Sequence, residues 1–162
     1  MTIRFDDLPS AAQECKIILG TYRGLKWTGM CYGHQAVLNR NLPNSGYLTC
    51  FTAGSSPQVA YFKIDASITL ERPNERFTFV SISVCAAWND DLQLTITGHQ
   101  NSVQTHVQTI LLRFGQPQLL LFHWRNINKI ILKPFGGTAH PETGQPALPH
   151  VIITQITIDA LD

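Results

Sequence analysis

Apolar and polar residues alternate along most of the chain, a pattern typical of β-strands that bury one face. No window of helical length carries a sustained apolar stripe with a period of 3.6 residues. In the second two-thirds of the chain, the alternating segments are also rich in β-branched and aromatic residues, which favour strands. The pattern predicts seven strands there, at residues 67–71, 76–82, 92–97, 103–112, 118–123, 129–133 and 151–158.

Short polar segments rich in Pro, Gly, Asn and Asp separate these strands and predict turns. Many short strands joined by short connections favour antiparallel pairing in a sandwich or a barrel. We therefore predict an all-β antiparallel sandwich that forms one domain over residues 1–162, since no repeat or composition shift marks a boundary. The predicted turns are 72–75, 89–91, 98–101, 115–117 and 125–128.

The remaining segments are less regular. Residues 20–27 and 41–46 read as turn-rich connections around a few strands, and residues 9–14 could form one short helical turn. The longest irregular stretch, residues 136–149, holds three prolines and three glycines, so we expect a surface loop.

Composition narrows the class of protein. Apolar residues make up 44% of the 162 residues and charged residues 14%, which is a globular rather than a disordered composition. The net charge is +1 and no basic stripe occurs, so we expect no nucleic-acid partner. No apolar run approaches the roughly 20 residues of a spanning helix, so we expect a soluble protein without a membrane partner.

Four cysteines bear on the redox environment, and they lack the spacing of a zinc site. We expect buried free thiols, with a Cys31–Cys50 disulfide as the alternative that would imply an oxidising compartment. The N-terminus lacks the apolar core of a signal peptide, but a sequence that begins at a mature residue looks the same. Secreted and cytoplasmic locations therefore both stay open, and so does the redox state of Cys15, Cys31, Cys50 and Cys85.

The order of motifs along the chain resembles a group of β-sandwich proteins common among fungal hypothetical proteins and related to bacterial exported domains. That group is similar to the galactose-binding-like jelly rolls that many carbohydrate-binding modules share. The motifs include Gly-x-Tyr-x-Gly-Leu-x-Trp and Ala-Ala-Trp-Asn-Asp-Asp-Leu. The matching segments are residues 5–8, 20–27, 45–47, 59–61, 77–98 and 122–131.

This resemblance implies an antiparallel jelly-roll β-sandwich, galactose-binding-domain-like, with carbohydrate as the ligand class. It also implies a structural calcium between the first and last strands, although this chain has Thr154-Gln155 where members of the group carry Asp-Asp or Asp-Asn. Asp6 and Asp7, together with Asp159 or Asp162, could supply the oxygen ligands that calcium prefers. The alternative is a solvated acidic turn, and no other cofactor is expected.

Aromatic side chains are the first candidates for sugar contact. Trp27 lies near Tyr22 in a glycine-rich connection, so we expect it to have an accessible face. Tyr22 and Tyr47 are the other aromatic candidates for ligand contact. Trp88 and Trp124 instead continue apolar strands, so we expect both in the core.

Asn89, Asp90 and Arg125 lie in predicted turns and could donate or accept hydrogen bonds to a ligand. Together with the aromatic candidates, they predict a non-catalytic binding module for carbohydrate or another small molecule. For Asn89 and Asp90 the alternative is a polar hairpin turn. The oligomeric state stays open.

Catalytic signatures are missing from the sequence: it has no nucleophile elbow, no phosphate-binding loop and no diagnostic Cys–His or carboxylate pair. Whether the protein is an enzyme stays open, although a non-catalytic role is favoured. A small-molecule cyclase or isomerase with a deep cavity lined by His99, His123 or Trp124 is one alternative. A protein-interaction or effector domain that uses a sheet face or an edge strand is another.

Overall fold

The computed structural model describes residues 1–53 and 56–160. The chain is mostly β, with 55% of its residues in strands and 11% in helix. The elements are β1 (Thr2–Ile3), β2 (Lys16–Ile17), β3 (Thr21–Tyr22), β4 (Leu25–Thr28), β5 (Cys31–His34), α1 (Gln35–Asn41), α2 (Tyr47–Ala53), β6 (Gln58–Phe62), β7 (Ala66–Leu70), β8 (Phe77–Ala86), β9 (Asn89–Asp90), β10 (Leu92–Gln100), β11 (Val103–Leu112), β12 (Gln118–Ile127), β13 (Lys129–Phe135), β14 (Thr138–Ala139), a 3₁₀ turn (Pro141–Thr143) and β15 (Val151–Ala160).

Two antiparallel sheets enclose the main core. Sheet A has the order β12-β8-β15-β6-β5-β2, with β1 added beside β15, and sheet B has the order β11-β10-β13-β7-β4-β3. Strands β9 and β14 form a separate two-stranded ribbon. The predicted antiparallel, sandwich-like all-β fold is confirmed at this level.

The alternation seen in the sequence decides which side chains enter the core. In β10, Leu92, Leu94 and Ile96 are fully buried between the sheets, whereas the intervening residues are partly exposed. In β4, Leu25 and Trp27 point inward in the same way. Burial of these apolar side chains is the main favourable contribution to such a fold.

All seven predicted strands are present, and residues 103–112 match β11 from end to end. Two strands run further than predicted, through segments that the sequence suggested were turns. Strand β10 continues to Gln100, and β12 continues to Ile127. Bulges explain the second error, because His123 and Asn126 adopt positive φ angles inside β12 while the strand keeps its pairing with β8.

The first third of the chain contains two short helices that the sequence pattern did not predict. Helix α1 begins at Gln35, where the His34 side chain accepts a hydrogen bond from the backbone N–H of Ala36. Helix α2 follows the segment 41–46 that was predicted as a turn-rich connection, and residues 9–14 form a bend instead of a helical turn. Within the described residues, no helix is long and apolar enough to cross a membrane.

Both helices cover the outer face of sheet A and create a second, smaller core. Tyr47 and Phe51 of α2 pack with Leu38 of α1 against Tyr61 and Trp88. Trp124, in contrast, belongs to the main core between the sheets. The predicted burial of Trp88 and Trp124 is therefore confirmed, at 5% and 9% exposure.

The cysteine prediction was wrong in both of its forms. Cys15 bonds to Cys31 and Cys50 bonds to Cys85, so neither free thiols nor a Cys31–Cys50 bridge is present. Strands β2 and β5 pair directly, which brings Cys15, next to β2, beside Cys31. The Cys50–Cys85 bond ties α2 to β8, a proximity that sequence spacing does not reveal.

Candidate functional site

A cavity of about 730 Å³ opens at the end of the sandwich where β8 begins. Sites for small molecules typically occupy roughly 300–1,000 Å³, so the volume suits a ligand of that size. We call it the end cavity. It is lined by Met1, Arg23, Gly24, Leu70, Asn74, Glu75, Arg76, Phe77, Asn126 and Ile158.

The floor of the end cavity is apolar and comes from both sheets. Leu70 ends β7 of sheet B, whereas Phe77 begins β8 and Ile158 lies in β15 of sheet A. Phe77 and Ile158 belong to the main core, and the floor is therefore held in place by the packing of the whole sandwich.

One wall is a hydrogen-bonded network around Arg76. Its guanidinium donates to the backbone oxygens of Pro73 at 3.0 Å and Glu75 at 2.7 Å, and to the side-chain oxygen of Asn101 at 2.6 Å. Asn128 accepts from the Asn101 backbone and donates to Pro73. The β7–β8 and β10–β11 turns are thus fixed to each other.

Another part of the lining is held by a second network, in which Asp7 bridges two side chains. The Tyr22 hydroxyl donates to Asp7 Oδ1 at 2.5 Å, and Arg23 forms an ion pair with Asp7 Oδ2. The hydrogen bond from Tyr22 is the main cause that lowers the pKa of Asp7. Burial, followed by this hydrogen bond to the carboxylate, raises the pKa of Tyr22 to about 12.

A tight turn places Arg23 at this wall. Arg23 and Gly24 are the two loop residues between β3 and β4, and both have positive φ angles, as a type I′ hairpin requires. The Arg23 side chain therefore projects from a fixed hairpin tip, where it both contacts Asp7 and lines the end cavity.

The aromatic residues expected to contact sugar are buried. Trp27 is 6% exposed, contacts Phe5 edge to face with ring centroids 5.6 Å apart, and donates through its indole N–H to the Tyr22 backbone oxygen. Tyr47 is 1% exposed and packs against Tyr61. The expectation of an accessible Trp27 face is wrong, because Trp27 follows Leu25 onto the inward face of β4.

The other predicted ligand residues are divided between the two ends of the sandwich. Arg125 is exposed on β12, beside the cavity residue Asn126. Asn89 and Asp90 lie beyond the far end of β8, and Asn89 is buried. The Asn89 amide donates to the Gly136 oxygen at 3.0 Å and accepts from the Leu148 backbone at 2.8 Å, and it therefore fastens the loop 136–150.

Asp90 also contacts this loop. Its carboxylate lies 2.7 Å from Nδ1 of His140, whose ring stacks on Phe114 at a centroid distance of 4.1 Å. Asn89 and Asp90 pair with β14 instead of forming the free turn that the sequence suggested.

The acidic residues proposed for calcium are not gathered. Asp7 is engaged by Tyr22 and Arg23, and Asp159 lies 3.4 Å from the N-terminal amine. Among residues 1–53 and 56–160, no group of three His, Cys, Asp or Glu side chains is placed to hold a metal ion. Asp162 lies outside the described residues, and the calcium site with Asp6, Asp7 and Asp159 stays an untested prediction.

The residues suggested for an enzyme pocket, His99, His123 and Trp124, lie outside the end cavity. The His99 ring forms a hydrogen bond with the Thr97 hydroxyl on sheet B. Burial, followed by the charges of Lys129 and Lys133, lowers the pKa of His99. His123 is exposed at a bulge of β12. Trp124 stacks on His106. None of these side chains lines the end cavity.

Sequence reasoning missed Arg76, Asn74 and Asn126 as candidate ligand contacts. The sequence does indicate that these residues lie in or next to loops, because residues 72–75 and 125–128 are polar segments between predicted strands. What brings them together is the register of β8 and β12, in which Phe77 pairs with Ile127. That register follows from tertiary structure.

Together, fold and site describe an antiparallel, sandwich-like all-β protein with a ligand-sized cavity at one end. A comparison of the sequence with models of known protein families finds no match, and a comparison with curated proteins finds none either.

Proposed function

We propose that this protein is a non-catalytic binding module that takes a carbohydrate into the end cavity. The observation that carries the proposal is the cavity's construction: the lining combines the partly exposed Leu70, backed by the buried core residues Phe77 and Ile158, with amide and guanidinium groups. Small-molecule sites commonly combine a mainly apolar lining with a few fixed polar groups.

A pyranose ring has the matching chemistry, since it presents C–H groups on one face and hydroxyls around its edge. In the proposed complex, the C–H face lies on the partly exposed Leu70, while Asn74 and Asn126 donate and accept hydrogen bonds to hydroxyls. The networks around Arg76 and Asp7 hold the rim before a ligand arrives. Such preorganisation lowers the entropic cost of binding.

The charge of Arg76 favours an acidic sugar over a neutral one. Within the described residues, the contacts of its guanidinium are all to uncharged oxygens. Arg23 is paired with Asp7 instead, and Glu75 with Arg72. A ligand carboxylate would therefore gain a charge-assisted hydrogen bond at Arg76 without displacing an existing ion pair.

We further propose that the sandwich is a jelly roll of the galactose-binding-like kind. Successive long strands from β6 to β8 alternate between sheets A, B and A, and β11, β12, β13 and β15 alternate in the same way. This crossing between layers is typical of jelly rolls, and the family resemblance of the sequence supports the same assignment. The two disulfides support an oxidising compartment.

Binding to neutral and acidic monosaccharides, such as galactose and galacturonic acid, tests the proposal by calorimetry and thermal shift. Arg76→Gln should raise the dissociation constant for the acidic sugar at least about tenfold, because hydrogen bonds to charged groups are the stronger ones. Its effect on the affinity for a neutral sugar should be smaller. Asn126→Gly keeps the positive φ at this position and should weaken both sugars.

Arg113→Gln is the matched control, since Arg113 is an exposed arginine near the other end of β8. Its backbone forms an isolated β-bridge with Gln116. Unchanged affinity in both cavity variants would show that the sugar binds outside the end cavity. If no sugar binds, carbohydrate is excluded as the ligand class. A parallel melt with calcium and with a chelator tests the calcium that the resemblance implies, because a ligand of the native state raises Tm.

A further inference from the structure

We propose that β11 pairs with the same strand of a second copy of this chain and forms a twofold dimer. Sheet edges carry unpaired backbone N–H and C=O groups, and proteins normally shorten, bend or charge them to prevent such pairing. The proposal is independent of the end cavity and of its ligand.

The edges of the two sheets differ sharply in this protection. In the described part of the chain, β2 and β3 are the edges on one side, and each is only two residues long. Strand β12, the other edge of sheet A, is interrupted by two bulges and carries Arg125. These three edges have devices that discourage pairing.

Strand β11, the other edge of sheet B, has fewer of these devices, although the Gln118 side chain donates to its Leu111 backbone oxygen at 3.4 Å. Residues 103–112 contain no Asp, Glu, Lys, Arg or Pro. One bulge occurs early, where His106 faces Gly98 and Gln104 faces His99, so that Thr105 is the extra residue. From His106 to Leu112 the register against β10 is unbroken.

This regular segment also exposes apolar side chains on the outer face of sheet B. Val107 is 59% exposed and Leu111 is 56% exposed, and they lie on either side of Thr109. Exposed apolar residues on an edge strand of this length mark an interaction surface.

The segment is self-complementary when it pairs antiparallel about Thr109. Val107 then faces Leu111 of the second copy, Leu111 faces its Val107, and the two Thr109 residues face each other. On the other face, Gln108 meets Ile110. Aliphatic and Thr–Thr cross-strand pairs are favourable, and no like charges meet. A pairing of seven residues supplies about six to eight backbone hydrogen bonds, which is within the usual number for a protein interface.

In the proposed dimer the twofold axis passes through Thr109, so a substitution there faces its own copy in the second chain. Thr109→Lys and Thr109→Glu each place like charges opposite each other, so each should raise the dimer dissociation constant at least about tenfold. Mixing equal amounts of the two variants places Lys opposite Glu and should restore dimers that contain one chain of each kind. Thr28→Lys, an exposed Thr→Lys change on β4 of the same sheet, is the matched control.

The measurement is mass in solution by analytical ultracentrifugation and native mass spectrometry, with circular dichroism to check folding. We expect the unaltered chain and Thr28→Lys at twice 18.1 kDa, and each Thr109 variant alone at 18.1 kDa. A wild-type chain that stays at 18.1 kDa at high concentration overturns the proposal. So do Thr109→Lys chains that still form dimers, or mixed variants that remain monomers.

Discussion

The indole N–H of Trp88 donates a hydrogen bond to Nδ1 of His150, with 3.0 Å between the nitrogens. Tryptophan can only donate, so Nδ1 of His150 must be unprotonated for this bond to form. Burial is the main cause, and the charge of Lys63 a smaller one, that lowers the pKa of His150 from 6.5 to about 4. The folded protein therefore requires neutral His150, which precedes β15 at the end of the loop 136–150.

Stability should consequently fall on acidification across the interval between these two pKa values. Above pH 6.5, His150 is neutral in both the folded and the unfolded chain. Between pH 6.5 and about 4, the unfolded chain binds a proton that the folded chain does not, so the free energy of unfolding decreases as the pH falls. Urea unfolding at several pH values measures this change.

His150→Gln removes the titrating group and should flatten the pH dependence in this window. His99 contributes with the same sign, because its pKa is also lowered, and a smaller slope should therefore persist in the variant. NMR titration of the His150 ring checks the assignment directly. A His150 that titrates near 6.5 in the folded protein would contradict the prediction.

The sequence specified the strands well because binary alternation is a local signal. Strand β10 alternates over residues 92–97, where a strand was predicted, whereas α1 and α2 have only seven residues each. Two helical turns are too short to show a sustained stripe. Even so, the buried positions Tyr47, Cys50 and Phe51 of α2 follow the i, i+3, i+4 spacing of a helix face, and that spacing was the available signal.

The site was less predictable because residue type says little about exposure. Trp27 was expected to be accessible from its glycine-rich surroundings, yet its position two residues after Leu25 already placed it on the inward face of β4. The end cavity depends instead on contacts between distant segments. Arg76 and Asn126, for example, are brought together by the pairing of β8 with β12, and only the folded chain reveals that relationship.

Asn89→Ala should destabilise the protein by about 1–3 kcal/mol, since it leaves the Gly136 oxygen and the Leu148 N–H without their buried partner. Asn89→Asp is the matched variant, because a carboxylate can still accept from Leu148 but cannot donate to Gly136. Because this carboxylate would be buried and would face the Gly136 oxygen at about the 3.0 Å of the present bond, Asn89→Asp should cost at least as much as Asn89→Ala at neutral pH. Urea denaturation measures both changes, and a loss below about 0.5 kcal/mol in Asn89→Ala, the range of ordinary surface substitutions, would exclude this role.

Removing the disulfides should destabilise the protein, and the Cys50–Cys85 bond should contribute more. The bonded cysteines are 16 residues apart in Cys15–Cys31 and 35 apart in Cys50–Cys85. Closing loops of these sizes restricts the unfolded chain by about 3 and 4 kcal/mol in the chain-entropy model. Paired Cys→Ser variants, unfolded in urea, measure each contribution. Free thiols in the intact protein by mass spectrometry would contradict the pairing.

Gly46→Ala should be more destabilising than Gly98→Ala, because the two glycines face different kinds of neighbour. A Cβ on Gly46 would lie 2.5 Å from the backbone oxygen of Ala86, and the chain is fixed there by the hydrogen bond from Gly46 N–H to Ala87. A Cβ on Gly98 would lie 3.0 Å from the Trp124 ring, a side chain that can shift slightly.

Overpacking against rigid backbone typically costs about 1–3 kcal/mol, so we expect a loss in that range for Gly46→Ala and a smaller one for Gly98→Ala. Thermal and urea unfolding of both variants provide the comparison. Equal losses would mean that the backbone around Ala86 can move as easily as the Trp124 ring. The segment before α2 would then be less firmly held against sheet A than its hydrogen bond to Ala87 implies.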